Sequence, residues 1–179
     1  MKNSPAIRQA SVDDAPGVSR LLRSAMLTYC ADSGISSSML EAMTESVESV
    51  ADRIKRQTCL IAEIDGEIVG TICIKECPNP LVYSFSEKTY GFLKDFTCCN
   101  YISRFAVIQR YRKTGLGIDL ITKAIDIAGK SGNGLVLLHS AASNENMVEF
   151  YRKRGFTIVD TENSRGYMRG LFAYLSDSL

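Results

Sequence analysis

The sequence predicts a mixed α/β protein, a sheet with helices on both faces, and three observations carry that expectation. Helical apolar stripes alternate with β-branched runs along the chain, which places both kinds of element in one core. The runs 59–64 and 68–74 are separated only by Asp65-Gly66, a dipeptide that favours a type I′ hairpin turn and so an antiparallel pair. The stretch 101–140 reads as strand, glycine-bearing turn, apolar helix and buried strand, a β-α-β unit.

Each element has its own local reason. Residues 6–10 form a short strand, and Ser11-Val12-Asp13-Asp14 supplies an N-cap signal before Val18, Leu21, Leu22 and Met26 make a helical stripe. After the polar interruption 31–36, Leu40, Met43, Val47, Val50 and Ile54 recur at threes and fours, predicting a second amphipathic helix. The hairpin 59–74 follows. Periodicity is then lost over 76–100, where Pro78, Pro80 and Gly91 interrupt Leu81, Tyr83, Phe85, Tyr90, Phe92 and Phe96. Residues 101–107 resume as a strand, 116–128 is a helix with Leu120, Ile121, Ala124 and Ile125 on one face, and 135–140 is a buried strand. A helix over 144–154 ends at Gly155, a natural left-handed terminator, and strands over 156–160 and 167–174 close the chain.

Composition narrows the function classes. A chain of 179 residues with 45% apolar and 23% charged residues is expected to form one domain over 1–179, without repeat or linker. A net charge of +1 offers no field to attract nucleic acid or an anionic membrane. The six cysteines include no Cys-x-x-Cys pair, and His139 is the one histidine available to join them, so no metal site is expected. Cys59 and Cys73 sit in β-like runs, where free cysteine serves as a small buried hydrophobe. Reduced thiols, no apolar leader and no membrane-length apolar run predict a soluble cytoplasmic protein.

The chemistry concentrates in Val-Ile-Gln-Arg-Tyr-Arg-Lys-Thr-Gly-Leu-Gly, residues 107–117, where a strand end runs through a glycine turn into a helix. Gly115 and Gly117 let the backbone take positive φ or press close to a ligand, and amides from Arg112 to Gly117 are expected to point outward at the positive end of the helix. Arg110, Arg112 and Lys113 add cationic charge, so the junction suits phosphate. It is no Walker loop, because Gly-x-x-x-x-Gly-Lys-Ser/Thr is absent, and no dinucleotide fingerprint, because Leu120 stands where a third glycine would fall.

Arg112-x-x-Gly115-x-Gly117 resembles the acetyl-CoA motif of the GCN5-related N-acetyltransferases, and a second segment resembles the same family's closing helix. There Asn144, Tyr151, Gly155 and Phe156 fill the family's pattern in the correct order, although Met147 stands where alanine is commoner. The resemblance spans about residues 5–175. It implies a GNAT fold: a central mixed, mostly antiparallel twisted sheet of six to seven strands, with helices on both faces and a splay between the fourth and fifth strands. It also implies that the segment 76–100 is longer than the family's usual hairpin there.

From the resemblance, Phe105, Ala106 and Val107 would offer main-chain groups to the pantetheine arm. Arg112, Lys113, Thr114, Gly115, Leu116 and Gly117 would cradle the pyrophosphate, and Asn144 and Tyr151 would complete the acetyl-CoA site. Tyr151 would act as the general acid, since a phenol stays protonated at neutral pH and can supply a departing thiolate. The same tyrosine also reads as a helix aromatic packed on the sheet, and Asn144 as a helix N-cap. Many relatives carry a glutamate on the fourth strand as base, but no Asp or Glu occurs over 96–118. Asp95, Glu76 and His139 are the remaining candidates, His139 lying in an apolar strand. The acceptor pocket is expected between the first helix pair and the segment 76–100, with Tyr29 and Tyr83 as lining residues. The implied activity is acetyl transfer from acetyl-CoA, without a metal, to a primary amine of a small molecule or peptide in a ternary complex, by a monomer or homodimer. The alternative is a non-catalytic acyl-CoA-binding sensor, which the missing acid keeps open.

Overall fold

The computed structural model describes residues 5–132 and 134–176. Seven strands, β1 (Ala6–Gln9), β2 (Thr58–Ile64), β3 (Glu67–Cys77), β4 (Cys99–Val107), β5 (Leu135–Ala141), β6 (Thr157–Glu162) and β7 (Arg169–Leu175), form one sheet in the order β1-β2-β3-β4-β5-β7-β6. The β4–β5 pair is parallel and the other neighbours are antiparallel. Asp65 and Gly66 both hold positive φ, 49° and 80°, as a type I′ turn requires of its two central residues.

The helices α1 (Ala15–Ser33), α2 (Glu41–Thr44), α3 (Val47–Arg56), α4 (Glu87–Leu93), α5 (Leu116–Lys130) and α6 (Glu145–Arg152) cover both faces. Alternation along the strands sorts the core. Leu60, Ile72, Ile74, Ile102, Val136 and Leu138 face α5, whose Leu116, Leu120, Ile121, Ala124 and Ala128 are all buried. Cys59, Ile61, Cys73 and Ala106 face α1 and α3. Each fully buried leucine or isoleucine in this arrangement contributes about 1.5–3 kcal/mol relative to exposure.

Two helix boundaries differ from the sequence expectation. α1 runs through the polar stretch to Ser33 and stops at Gly34 (φ 68°), because Ser33 finds buried partners and only the glycine takes the left-handed turn freely. The single stripe expected over 40–54 is two helices. Glu45 is extended between them, Ser46 caps α3 by accepting from the Ser49 amide (3.2 Å), and the Glu45 carboxylate, 6% exposed, meets Arg53 and Arg104. An ion-pair anchor and a cap thus override the period.

The segment between β3 and β4, irregular by sequence, folds as a turn at Pro80–Tyr83 followed by α4. Ser86 caps α4 and also donates to Asp160 of β6 at 2.7 Å. Leu93 is completely buried, and Leu81, Tyr83, Phe85, Phe92 and Phe96 pack on Cys99, Leu135, Leu137, Leu171 and Ala173 of the sheet. The aromatic run therefore roofs the β4–β5–β7 region on the face that α1 leaves uncovered.

The feature that creates a site lies between β4 and β5. Their pairing begins at Asn100↔Val136 and ends at Ile102↔Leu138, although both strands continue. Against β3 the register jumps between Ser103↔Cys73 and Ala106↔Thr71, so that Arg104 and Phe105 oppose Ile72 alone. Arg104 takes φ 52° at this bulge. A bulge with a left-handed residue bends its strand, and here the bend opens the sheet at the end of β4.

Candidate active site

After Val107 the chain makes a 3-10 turn at Gln109–Tyr111, passes through Lys113 (φ 62°) and Gly115 (φ 97°), and enters α5. The first amides taken up inside the helix are those of Ile118 and Asp119, both donating to the Gly115 carbonyl at 2.8 and 3.0 Å. Among the described residues no hydrogen bond takes up the amides of Thr114, Gly115, Leu116 or Gly117. These donors form a row at the positive end of α5, the arrangement that binds anions. A side chain at Gly115 would meet nothing within 4 Å, so glycine is required there for its backbone conformation. At Gly117 a Cβ would stand 3.4 Å from the Phe105 ring, with Phe150 just beyond, so the strand, the turn and α6 converge.

Arg112 departs from its expected place beside the phosphates. Its amide donates to Gln109 at 3.1 Å, and its guanidinium folds back to the Val107 carbonyl (3.0 Å) and the Ala25 carbonyl (3.5 Å). A cation that ends β4 and ties it to α1 satisfies buried carbonyls at the mouth of the splay. Lys113 and Thr114 stay exposed, Thr114 donating to the Tyr111 carbonyl at 2.7 Å. Val107 thus has its carbonyl occupied, and Ala106 and Val107 also hold β3 partners in Thr71 and Gly70.

On the opposite bank, Asn144 takes the N-cap role and also ties α6 to α1. Its Oδ1 accepts from the Met147 amide (3.1 Å) as the cap of α6, while its Nδ2 donates to Ser33 Oγ (3.0 Å) at the end of α1. Tyr151 is 5% exposed and enclosed by Phe105, Phe150, Phe156 and Phe172, with centroids 5.4–6.4 Å away. Burial, together with the nearby Tyr29 and Tyr101 phenols, pushes its hydroxyl well above the usual tyrosine value, which keeps it protonated.

The residue the sequence reading passed over is Tyr101. Its hydroxyl lies 2.9 Å from His139 Nδ1, across the last paired rungs of β4 and β5. Burial first, then Arg169, depresses His139 to about 3, so the imidazole is neutral, and burial raises Tyr101. His139 Nε2 is buried with no hydrogen-bond partner among the described residues. The signal was present in the parities: Tyr101 is opposite Leu137, and His139, two residues on, shares its face. A pattern built on carboxylates does not reach it. Glu76 and Asp95 are both exposed, Glu76 pairing with Asn100 at the closed end of the splay and Asp95 following α4.

The two expected lining residues take defined places. Tyr29 closes the open flank of β5: its hydroxyl accepts from the Ala141 amide (2.7 Å) and lies 3.3 Å from Ser140 Oγ. Tyr83 stacks on Tyr101 with centroids 4.4 Å apart and planes 8° from parallel. Met39 packs on Gly166, and Glu41 pairs with Arg165 at 3.0 Å. Among the described residues no group of three His, Cys, Asp or Glu side chains could hold a metal, and no helix is long and apolar enough to cross a membrane.

Similarity to known proteins agrees with this geometry. Over 63 residues the chain is 36% identical to the probable N-acetyltransferase san of Drosophila melanogaster, covering 35% of this chain and 34% of that protein. Over 65 residues it is 32% identical to N-alpha-acetyltransferase 50 of Danio rerio, covering 36% and 39%. The matches thus span between a third and two fifths of the length of these two relatives. Among solved structures, the PaiA N-acetyltransferase of Thermoplasma acidophilum in complex with coenzyme A shares the fold, with a TM-score of 0.72 at 21% identity over 97% of this chain and 99% of that one. The family model of the acetyltransferase (GNAT) family matches residues 24–156, and with the splay, the amide row and the closing helix in their places the chain belongs to that family.

Proposed function

We propose that the protein transfers an acetyl group from acetyl-CoA to the α-amine at the N-terminus of a peptide, by direct attack in a ternary complex. The observation that carries the reading is the Tyr101–His139 pair at the root of a splay whose fourth strand bears no carboxylate. The free amides of Thr114, Gly115, Leu116 and Gly117 fit the pyrophosphate of the acetyl donor, with Lys113 as the exposed cation beside them. Phe105 and Ala106, where β4 parts from β5, border the path of the pantetheine arm.

The proton balance favours the α-amine. A lysine-type amine has a pKa near 10.4 and an α-amine near 7.7–8.0, so the lysine type costs about 3.4 kcal/mol more to deprotonate. A neutral histidine held near 3 is a weak base, and it suits the acceptor that arrives partly neutral. In the forward step the amine nitrogen attacks the thioester carbon while its proton passes to Tyr101, whose own proton moves to His139 Nδ1. The carbon–sulfur bond breaks, and the sulfur takes a proton from the buried Tyr151 phenol. Solvent restores both side chains afterwards. The zebrafish relative, by its name an N-alpha-acetyltransferase, supports the same acceptor class.

The test is acetyl transfer by the purified protein, read as released thiol and product mass. Peptides with a free N-terminus are compared with N-blocked peptides carrying lysine and with polyamines. Product on free N-termini alone is expected. Turnover confined to lysine or polyamines refutes the acceptor, and tight acetyl-CoA binding without turnover on any amine establishes the sensor alternative.

A further inference from the structure

We propose that Tyr83, carried by the segment between β3 and β4, is a positioning residue for the Tyr101–His139 pair, so that this segment is part of the catalytic apparatus. The inference rests on the acetyl-transfer reading above and assigns a task to an element that reading leaves unused.

The geometry is specific. The Tyr83 ring lies parallel to Tyr101 at 4.4 Å, and it also stands 6.2 Å from the His139 ring, with Phe85 at 6.4 Å on the same imidazole. Two aromatics from one segment therefore cover both members of the pair. The hydrogen bond from Tyr101 to His139 is made by the terminal hydroxyl at 2.9 Å, an oxygen that lies on the ring's own axis, so a tilt of the ring about χ1 breaks the bond. A ring packed parallel against a fixed plane resists that tilt.

The plane is fixed because the segment is pinned at several points. Asn79 accepts from the Leu81 amide (3.1 Å), Ser86 holds both Thr89 and Asp160, Thr89 is fully buried, and Leu93 is sealed in the core. Nothing in this pinning serves the cofactor turn, which lies at the other end of β4. The cover also shuts solvent from the side of the pair that faces this segment, leaving the side toward Tyr29 as the approach for an acceptor. A stack of this kind is worth roughly a two- to ten-fold change in rate when it orients a reacting group.

The test uses Tyr83→Phe, which keeps the ring, and Tyr83→Leu, which keeps apolar bulk without it, with Tyr101→Phe as reference. Expected for Tyr83→Leu is a several-fold loss in kcat and a displaced pH profile, at an unchanged KM for acetyl-CoA and a cooperative melt, with Tyr83→Phe restoring the wild-type profile. If Tyr83→Leu melts cooperatively and keeps the wild-type kcat and pH profile while Tyr101→Phe is impaired, the stacking role is refuted and the base reading survives. If Tyr101→Phe is itself unimpaired, both fall. If Tyr83→Leu does not fold, Tyr83→Phe and Tyr83→His decide: the ring-bearing variants must keep the wild-type profile, and a profile displaced in Tyr83→Phe refutes the proposal.

Discussion

Replacing His139 by Gln should flatten the acid limb of the stability curve, by an amount the buried imidazole sets. Folded His139 titrates near 3, against 6.5 for the free side chain. Below 6.5 the unfolded chain therefore binds a proton that the native state refuses. The sign follows: this contribution is intact above 6.5, is lost as pH falls toward 3, and changes no further below that. At about 1.36 kcal/mol per unit, the 6.5-to-3 interval corresponds to a ceiling of about 4.8 kcal/mol, and between about pH 7.5 and about pH 4.5 the loss is about 2.6 kcal/mol. Urea unfolding of wild type and His139→Gln at matched pH values isolates it, because the carboxylates titrate alike in both proteins. The wild type should lose about 2.6 kcal/mol more than the variant over that interval. Parallel curves would mean that the imidazole is solvated or charged in the native state, and the weak-base argument for an α-amine acceptor would go with it.

Three other perturbations probe separate parts of the site. Gly115→Ala meets no steric neighbour but must hold φ 97°, so it should cost about 1–2 kcal/mol in chemical denaturation and weaken coenzyme A binding by calorimetry; unchanged affinity would detach the turn from the cofactor. Tyr151→Phe keeps the packed ring and removes the acid, so single-turnover rates should fall by about 10²–10⁴ while the melt hardly moves; a wild-type rate would leave Tyr151 as packing only. Glu45→Ala removes the partner of Arg53 and leaves Arg104 only its longer contact with Glu41 (3.8 Å), and should destabilise by about 3 kcal/mol; a loss below about 1 kcal/mol, the worth of an exposed pair, would show the anchor to be solvated.

What the sequence made legible divides along local and non-local lines. The Asp65-Gly66 hairpin, the α5 stripe and the glycine turn could be read because each is decided within a few residues: by positive φ, by apolar period, by amides at a helix start. The break between α2 and α3 could not, because the three-and-four spacing runs unbroken across Ser46. What interrupts it is Glu45, drawn inward by Arg104 from a strand nearly sixty residues away. The segment 76–100 showed its aromatics but not their destination, since Tyr83 and Phe85 have meaning only against Tyr101 and His139. The motif points Arg112 at the phosphates, yet its guanidinium donates to the Val107 carbonyl at the end of the bent strand at 3.0 Å, a contact that no local pattern announces.

The base illustrates the same division with a functional consequence. β4 carries no carboxylate, which at the level of sequence keeps a non-catalytic acyl-CoA sensor open. Register places the proposed pair there instead, because a parallel pairing that stops at Ile102↔Leu138 brings a phenol and an imidazole on adjacent strands within hydrogen-bonding distance. A carboxylate beside the splay would hold an ammonium by charge and help to strip it. On the proposed reading, a neutral phenol–imidazole pair offers no such charge and so favours amines that lose their proton unaided near neutral pH. The missing acid therefore bears on which amine the site accepts, and the pH dependence of turnover on N-terminal and lysine peptides should separate along that line: the rising limb for an N-terminal acceptor is expected near its own pKa of about 8, and a limb near 10 would contradict the selection.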